Sequence, residues 1–97
     1  MNKIICAAIK IYIDSENIKI YRGHRHNNCI DCMNSELSWG YNRKQILEFK
    51  SEQGFITSEN VFVDRVTAFK IAKESKQFLN NKLYEKEEGP LYSEDIY

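Results

Sequence analysis

Along the first thirteen residues, apolar side chains recur at every second position. Ile5, Ala7, Ile9, Ile11 and Ile13 share one face of an extended chain. The stretch is rich in β-branched residues, which suit a pleated strand. Asp14-Ser-Glu-Asn17 follows, with short polar side chains that hydrogen-bond their own backbone in turns. Ile18-Lys-Ile-Tyr-Arg22 alternates again, so the pattern predicts a β-hairpin whose second strand ends at Gly23. The period then becomes helical. Asn27 or Asn28 can cap a helix on which Ile30, Met33 and Leu37 recur. Ser38-Trp-Gly-Tyr-Asn42 interrupts it, and Asn42 can cap a second helix carrying Ile46 and Leu47, stopped by Gln53-Gly54. Phe55-Ile-Thr57 and Val61-Phe-Val63 flank the turn residues Ser58-Glu-Asn60 and predict a second hairpin.

Asp64 is a good N-cap for a third helix over residues 65–77. Val66, Phe69, Ile71 and Ala72 form its apolar stripe, and Lys70, Lys73 and Lys76 suit a solvated face. Residues 80–90 are charged and end in Gly-Pro, which predicts a flexible loop. Residues 91–97 return to apolar and aromatic side chains and are expected to dock. Strands that arrive in hairpin pairs point to an α+β fold. The expected architecture is a small antiparallel β-sheet built from hairpins, packed with two or three helices.

At 97 residues the chain is expected to be one domain, residues 1–97. A chain this short buries only about two-thirds of its unfolded surface, so a metal or oligomerisation would help it. Its 42% hydrophobic and 29% charged residues describe a globular protein, not a disordered one. The formal net charge of zero hides a split: residues 84–97 hold five acids and one base, which leaves residues 1–83 about four charges positive. That bias is weaker than nucleic-acid binding demands. No window approaches the roughly 18 apolar residues of a membrane span, and no cleavable leader pattern opens the chain. Three cysteines without framework spacing suggest reduced thiols and a cytoplasmic setting.

The chemistry concentrates in Arg22-Gly-His-Arg-His-Asn-Asn-Cys-Ile-Asp-Cys32. His24, His26, Cys29 and Cys32 are all zinc-competent, and a zinc-stabilised interaction module is one reading. Four ligands within nine residues close a tetrahedron poorly, however, because structural sites usually draw ligand pairs from separate segments. A small Cys/His-dependent hydrolase is a second reading, with Cys29 activated at a helix start. It lacks an identifiable third member and oxyanion donors. Paired carboxylates have nothing to desolvate them. The third reading is an anion cradle. A strand ends at Gly23, where a ligand could approach the backbone, and a helix N-terminus follows with His24, Arg25 and His26 between them. Arg65, beside the Asp64 cap, is a further phosphate-gripping candidate. Trp39, Tyr41, Phe55, Phe62 and Tyr92 are candidate stacking surfaces, and no cofactor is implied.

Four blocks also carry a resemblance. Gly23-x-Arg25-His26-x-x-Cys29-Ile30, Gln53-Gly-Phe-Ile-Thr57, Phe62-Val-Asp-Arg65-x-x-Ala68-x-x-Ile71-Ala72 and Leu91-Tyr-Ser-Glu-Asp95 resemble, in order, the blocks of small phage and prophage proteins. That set looks similar to the Thoeris anti-defence sponge proteins. Those proteins bind and sequester the cyclic ADP-ribose-type signal of bacterial Thoeris immunity without degrading it. The chain departs from the pattern at Cys32 and at Lys76-Gln-Phe78.

The resemblance implies a noncatalytic, homo-oligomeric protein of the bacterial host's cytoplasm, with a small cyclic nucleotide held near subunit contacts. Arg25, His26 and Arg65 would meet the diphosphate or ribose hydroxyls, and Phe55 or Tyr92 would stack on adenine. Glu94 or Asp95 would accept from hydroxyls or the exocyclic amine.

Overall fold

A computed structural model describes residues 2–97. Four strands form one antiparallel sheet in the order β2-β1-β3-β4. They are β1 (Ile4–Tyr12), β2 (Ile18–Gly23), β3 (Lys50–Thr57) and β4 (Phe62–Asp64). The helices are α1 (His26–Leu37), α2 (Arg43–Glu48) and α3 (Arg65–Glu74). The α+β architecture expected from the hairpin pattern is present, with three helices.

The Asp14–Asn17 turn closes the first hairpin as its composition predicts. Asp14 accepts from the backbone N–H groups of Glu16 and Asn17, both at 2.8 Å. The period-two face of β1 holds at Ala7, Ile9 and Ile11, all buried, but not at Ile5, which is 51% exposed. The register between β1 and β3 steps from Ile4↔Thr57 to Cys6↔Ile56, so Ile5 is an extra residue on β1. Such a bulge reverses the facing of everything before it. Ile4 therefore takes the core position that alternation assigns to Ile5.

Several boundaries differ from the sequence reading. α1 starts at His26 on an Arg25 N-cap, so Asn27 and Asn28 lie inside the helix and neither is its N-cap. α2 is only six residues long, and β3 begins at Lys50, so Gln53-Gly54 lies within a strand and does not terminate a helix. α3 stops at Glu74, where Ser75 folds its hydroxyl back onto the Ile71 carbonyl. The charged stretch expected as a flexible loop contains a turn of 3-10 helix, Asn81–Glu85, whose Leu83 and Tyr84 pack against the core.

Tertiary pairing explains the second-hairpin strand. Ser51 and Gln53 are polar, yet they sit opposite Ile11 and Ile9 of β1, where ladder hydrogen bonds outweigh local preference. The main core gathers Ile4, Ala7, Ile9, Cys29, Phe55, Ala68, Phe69, Ala72, Phe78, Leu91 and Ile96. A smaller cluster of Ile11, Tyr21, Leu37 and Ile46 lies under α2. Residues 91–97 do dock. The Leu91 N–H donates to the Arg65 carbonyl at 3.0 Å, Leu91 is fully buried, and the Tyr97 hydroxyl bonds the Ile5 carbonyl. Among the described residues, no helix is long and apolar enough to cross a membrane.

Candidate functional site

The corner between β2 and α1 is built on Gly23. A Cβ there would lie 2.8 Å from the Asn28 Cβ and 3.0 Å from the Cys29 nitrogen. The space above Gly23 is thus filled by the first turn of α1, not left open for a ligand to approach the backbone. Gly23 lets the helix start hard against the strand. Arg25 is the N-cap, and its N–H donates to the Asn28 side chain at 3.0 Å, so Asn28 caps from inside the helix.

His26 is the first residue of α1 and is 9% exposed. Its Nε2 lies 2.8 Å from the Gly54 carbonyl oxygen and its Nδ1 lies 2.8 Å from the Ser93 hydroxyl. A carbonyl only accepts, so Nε2 carries the proton and the neutral ring accepts from Ser93 at Nδ1. Burial holds His26 below its ordinary range, assisted by Arg65, against opposing contributions from the Gly54 hydrogen bond and Glu94. The ring stands edge-on to Phe55 at 4.9 Å. His26 therefore ties α1, β3 and the C-terminal segment together, and both its ring nitrogens are already bonded.

Arg65 opens α3 directly after the Asp64 cap, which accepts from the Thr67 N–H at 2.7 Å. Its guanidinium sits 5.0 Å above the Tyr92 ring and bonds Gln53 Oε1, while its buried Nε has no partner among the described residues. Stacking and the Gln53 bond fix the plane of the fork, the arrangement that suits arginine to anions. Arg25 donates one Nη2 bond to the Tyr97 carbonyl at 3.0 Å.

Arg25, His26, Asn27, Arg65, Tyr92, Ser93 and Glu94 line a cleft of about 280 Å³. Five of the eight candidates read from the sequence, Arg25, His26, Arg65, Tyr92 and Glu94, thus share one site. Three do not line it. Phe55 is fully buried beneath the His26 ring and offers a ligand no face. Its position opposite Ala7 and Val63 makes it core. His24 packs on Tyr97, with ring centroids 4.1 Å apart. Asp95 accepts from the Tyr92 N–H at 2.9 Å and so serves the turn it belongs to. Asn27 and Ser93 were not among the sequence candidates. Ser93 lies 67 positions from His26, and no local pattern marks it.

The electrostatics suit a ligand of mixed character. Two guanidinium groups and the positive ends of α1 and α3 face the cleft, with one carboxylate, Glu94, on its rim. A larger cleft of about 410 Å³ lies between α1 and α2, but among the described residues that line it Arg43 is the one charged side chain and none is aromatic. Convergent polar groups matter more than size, so the smaller cleft is the candidate site.

The alternative chemistries fare differently. Cys29 is fully buried, and desolvation, then the neighbouring Cys6, pushes its thiol up to about 11. Its Sγ faces the Arg25 carbonyl at 3.4 Å, and His26 is engaged elsewhere. In this geometry Cys29 and His26 do not form an activated pair. Cys32 is exposed, and among the described residues no three His, Cys, Asp or Glu side chains are grouped to hold a metal ion.

No curated protein and no solved structure matches the chain. A family model does, over residues 3–97, which is nearly the whole length and takes in every element described above. The chain belongs to the family described as phage T4 y16D protein.

Proposed function

We propose that this phage-family protein is a noncatalytic counter-defence protein. It binds a cyclic ADP-ribose-like signalling nucleotide and sequesters it without degrading it. The observation that carries the reading is the convergence of Arg25, Arg65, Tyr92 and Glu94, from three distant chain segments, on one cleft. In this reading the two guanidinium groups grip the diphosphate and Tyr92 offers its free face to the base. Glu94 accepts from ribose hydroxyls or the exocyclic amine. At about 280 Å³ the cleft is smaller than the usual range of roughly 300–1,000 Å³ for ligand sites. A second copy of the chain would complete it, in keeping with a homo-oligomer acting in the cytoplasm of the bacterial host. A sponge needs tight binding and no turnover, which agrees with a buried, unactivated Cys29.

The test is depletion and release. Protein is incubated with cyclic ADP-ribose, filtered, and the retained fraction heat-denatured. The expected result is a depleted filtrate and intact ligand recovered after heating. Cleaved product would make the protein an enzyme, and an undepleted filtrate would sink the reading. Arg65→Ala should weaken retention by about tenfold or more, as loss of a charged hydrogen-bonding group does. Native mass spectrometry of the same samples reports the oligomeric state.

A further inference from the structure

We infer that Ser93 is a ligand-binding donor of this cleft and that His26 is its positioning residue: filling the cleft with an anion draws a proton onto His26, which turns the Ser93 hydroxyl toward the ligand. The inference rests on the anion-binding reading of the cleft and adds its regulation. Both residues line the cleft, and their side chains meet at 2.8 Å.

With His26 neutral, Nε2–H donates to Gly54, and Nδ1 can only accept. The Ser93 hydroxyl must then spend its single proton on Nδ1 and presents only lone pairs to the cleft. An anion meets those lone pairs as repulsion. When His26 gains a proton, Nδ1–H donates to Ser93 Oγ. The bond to Gly54 is kept, and the hydroxyl proton is released to point elsewhere. The cleft is where it can find an acceptor. One proton thus adds a positive charge behind the ligand and converts an acceptor into a donor in front of it.

The charged groups facing His26 oppose one another in the empty cleft. Arg65, from α3, disfavours the imidazolium, and Glu94, from the C-terminal segment, favours it. β3 contributes the neutral Gly54 carbonyl and the Phe55 ring. Arg25, from the same turn of α1, lines the cleft as a further positive charge. A bound diphosphate neutralises the arginines and removes the main charge penalty on the proton, so binding and protonation favour each other.

Calorimetry of the unaltered protein, with His26→Gln measured beside it, is the test. Cyclic ADP-ribose and, separately, inorganic pyrophosphate are titrated near neutral pH in two buffers of unlike ionisation enthalpy. Expected is a buffer-dependent heat that corresponds to proton uptake, with affinity rising about three- to tenfold from about pH 8 to about pH 6. His26→Gln, which keeps a donor and an acceptor but cannot titrate, should show only the pH dependence that the ligands' own ionisation brings, and the rise beyond it belongs to His26. Ser93→Ala should lose that part of the gain at the acid end. Binding with equal heats in both buffers overturns the proton linkage and leaves the cleft reading standing. No binding of either ligand overturns both.

Discussion

A single imidazole holds three segments of this chain together, and its protonation state follows from where it sits. His26 is neutral in the empty protein because it is buried; its Nε2–H donates to the Gly54 carbonyl and its bare Nδ1 accepts from the Ser93 hydroxyl. Its effect on stability has a definite sign. The folded value is lowered, so the unfolded chain takes up the proton first as pH falls below about 6.5. Above that pH the histidine costs nothing, and below it folding loses stability until the folded histidine also titrates. The expected outcome is a lower urea midpoint at about pH 5.5 than at about pH 7.5. The part due to His26 should vanish in His26→Gln, and an unchanged difference in that variant would assign the effect to other groups.

Among the secondary elements, the decisive feature is how closely β3 and β4 approach at Gly54. A Cβ at that position would lie 2.2 Å from the Val63 carbonyl oxygen and 2.6 Å from the Phe62 ring. The obstacle is partly backbone and cannot swing aside. Gly54→Ala should therefore cost about 1–3 kcal/mol, the usual range for overpacking. It should also disturb the cleft, because the carbonyl of the same residue anchors His26. Gly40, with nothing within 4 Å of an added Cβ, is the control. Gly40→Ala should leave the denaturation midpoint nearly unchanged, and equal effects at the two sites would contradict the packing described here.

The whole molecule closes through its C-terminal segment. Residues 91–97 supply Leu91 and Ile96 to the core, Tyr92, Ser93 and Glu94 to the cleft, and Tyr97 to the Arg25 and Ile5 contacts. Cleft and fold are therefore coupled through one short stretch. Leu91→Ala should cost about 2–5 kcal/mol as a buried leucine truncation, a large share of the roughly 5–15 kcal/mol typical of a domain. Thermal unfolding measures it, and a shift of only a degree or so would mean that the segment is not docked in solution.

At this scale the division between sequence and tertiary structure is plain. Local patterns determined the first hairpin, the three helices, the Asp64 and Asn42 caps and the α+β class. Alternation, helical spacing and capping chemistry act over a few residues and can be read there. Arg25, Arg65, Tyr92 and Glu94 were legible as candidates because guanidinium, aromatic and carboxylate groups carry their chemistry wherever they stand. What only the fold decided was company. The bulge at Ile5 moved Ile4 into the core, and β1 drew the polar Ser51 and Gln53 into a strand. Burial took Phe55 out of the cleft, and the 67-residue leap from His26 to Ser93 made a hydrogen bond that no window of sequence contains. Those outcomes depend on which distant surfaces meet, and that is set by the packing of the whole chain.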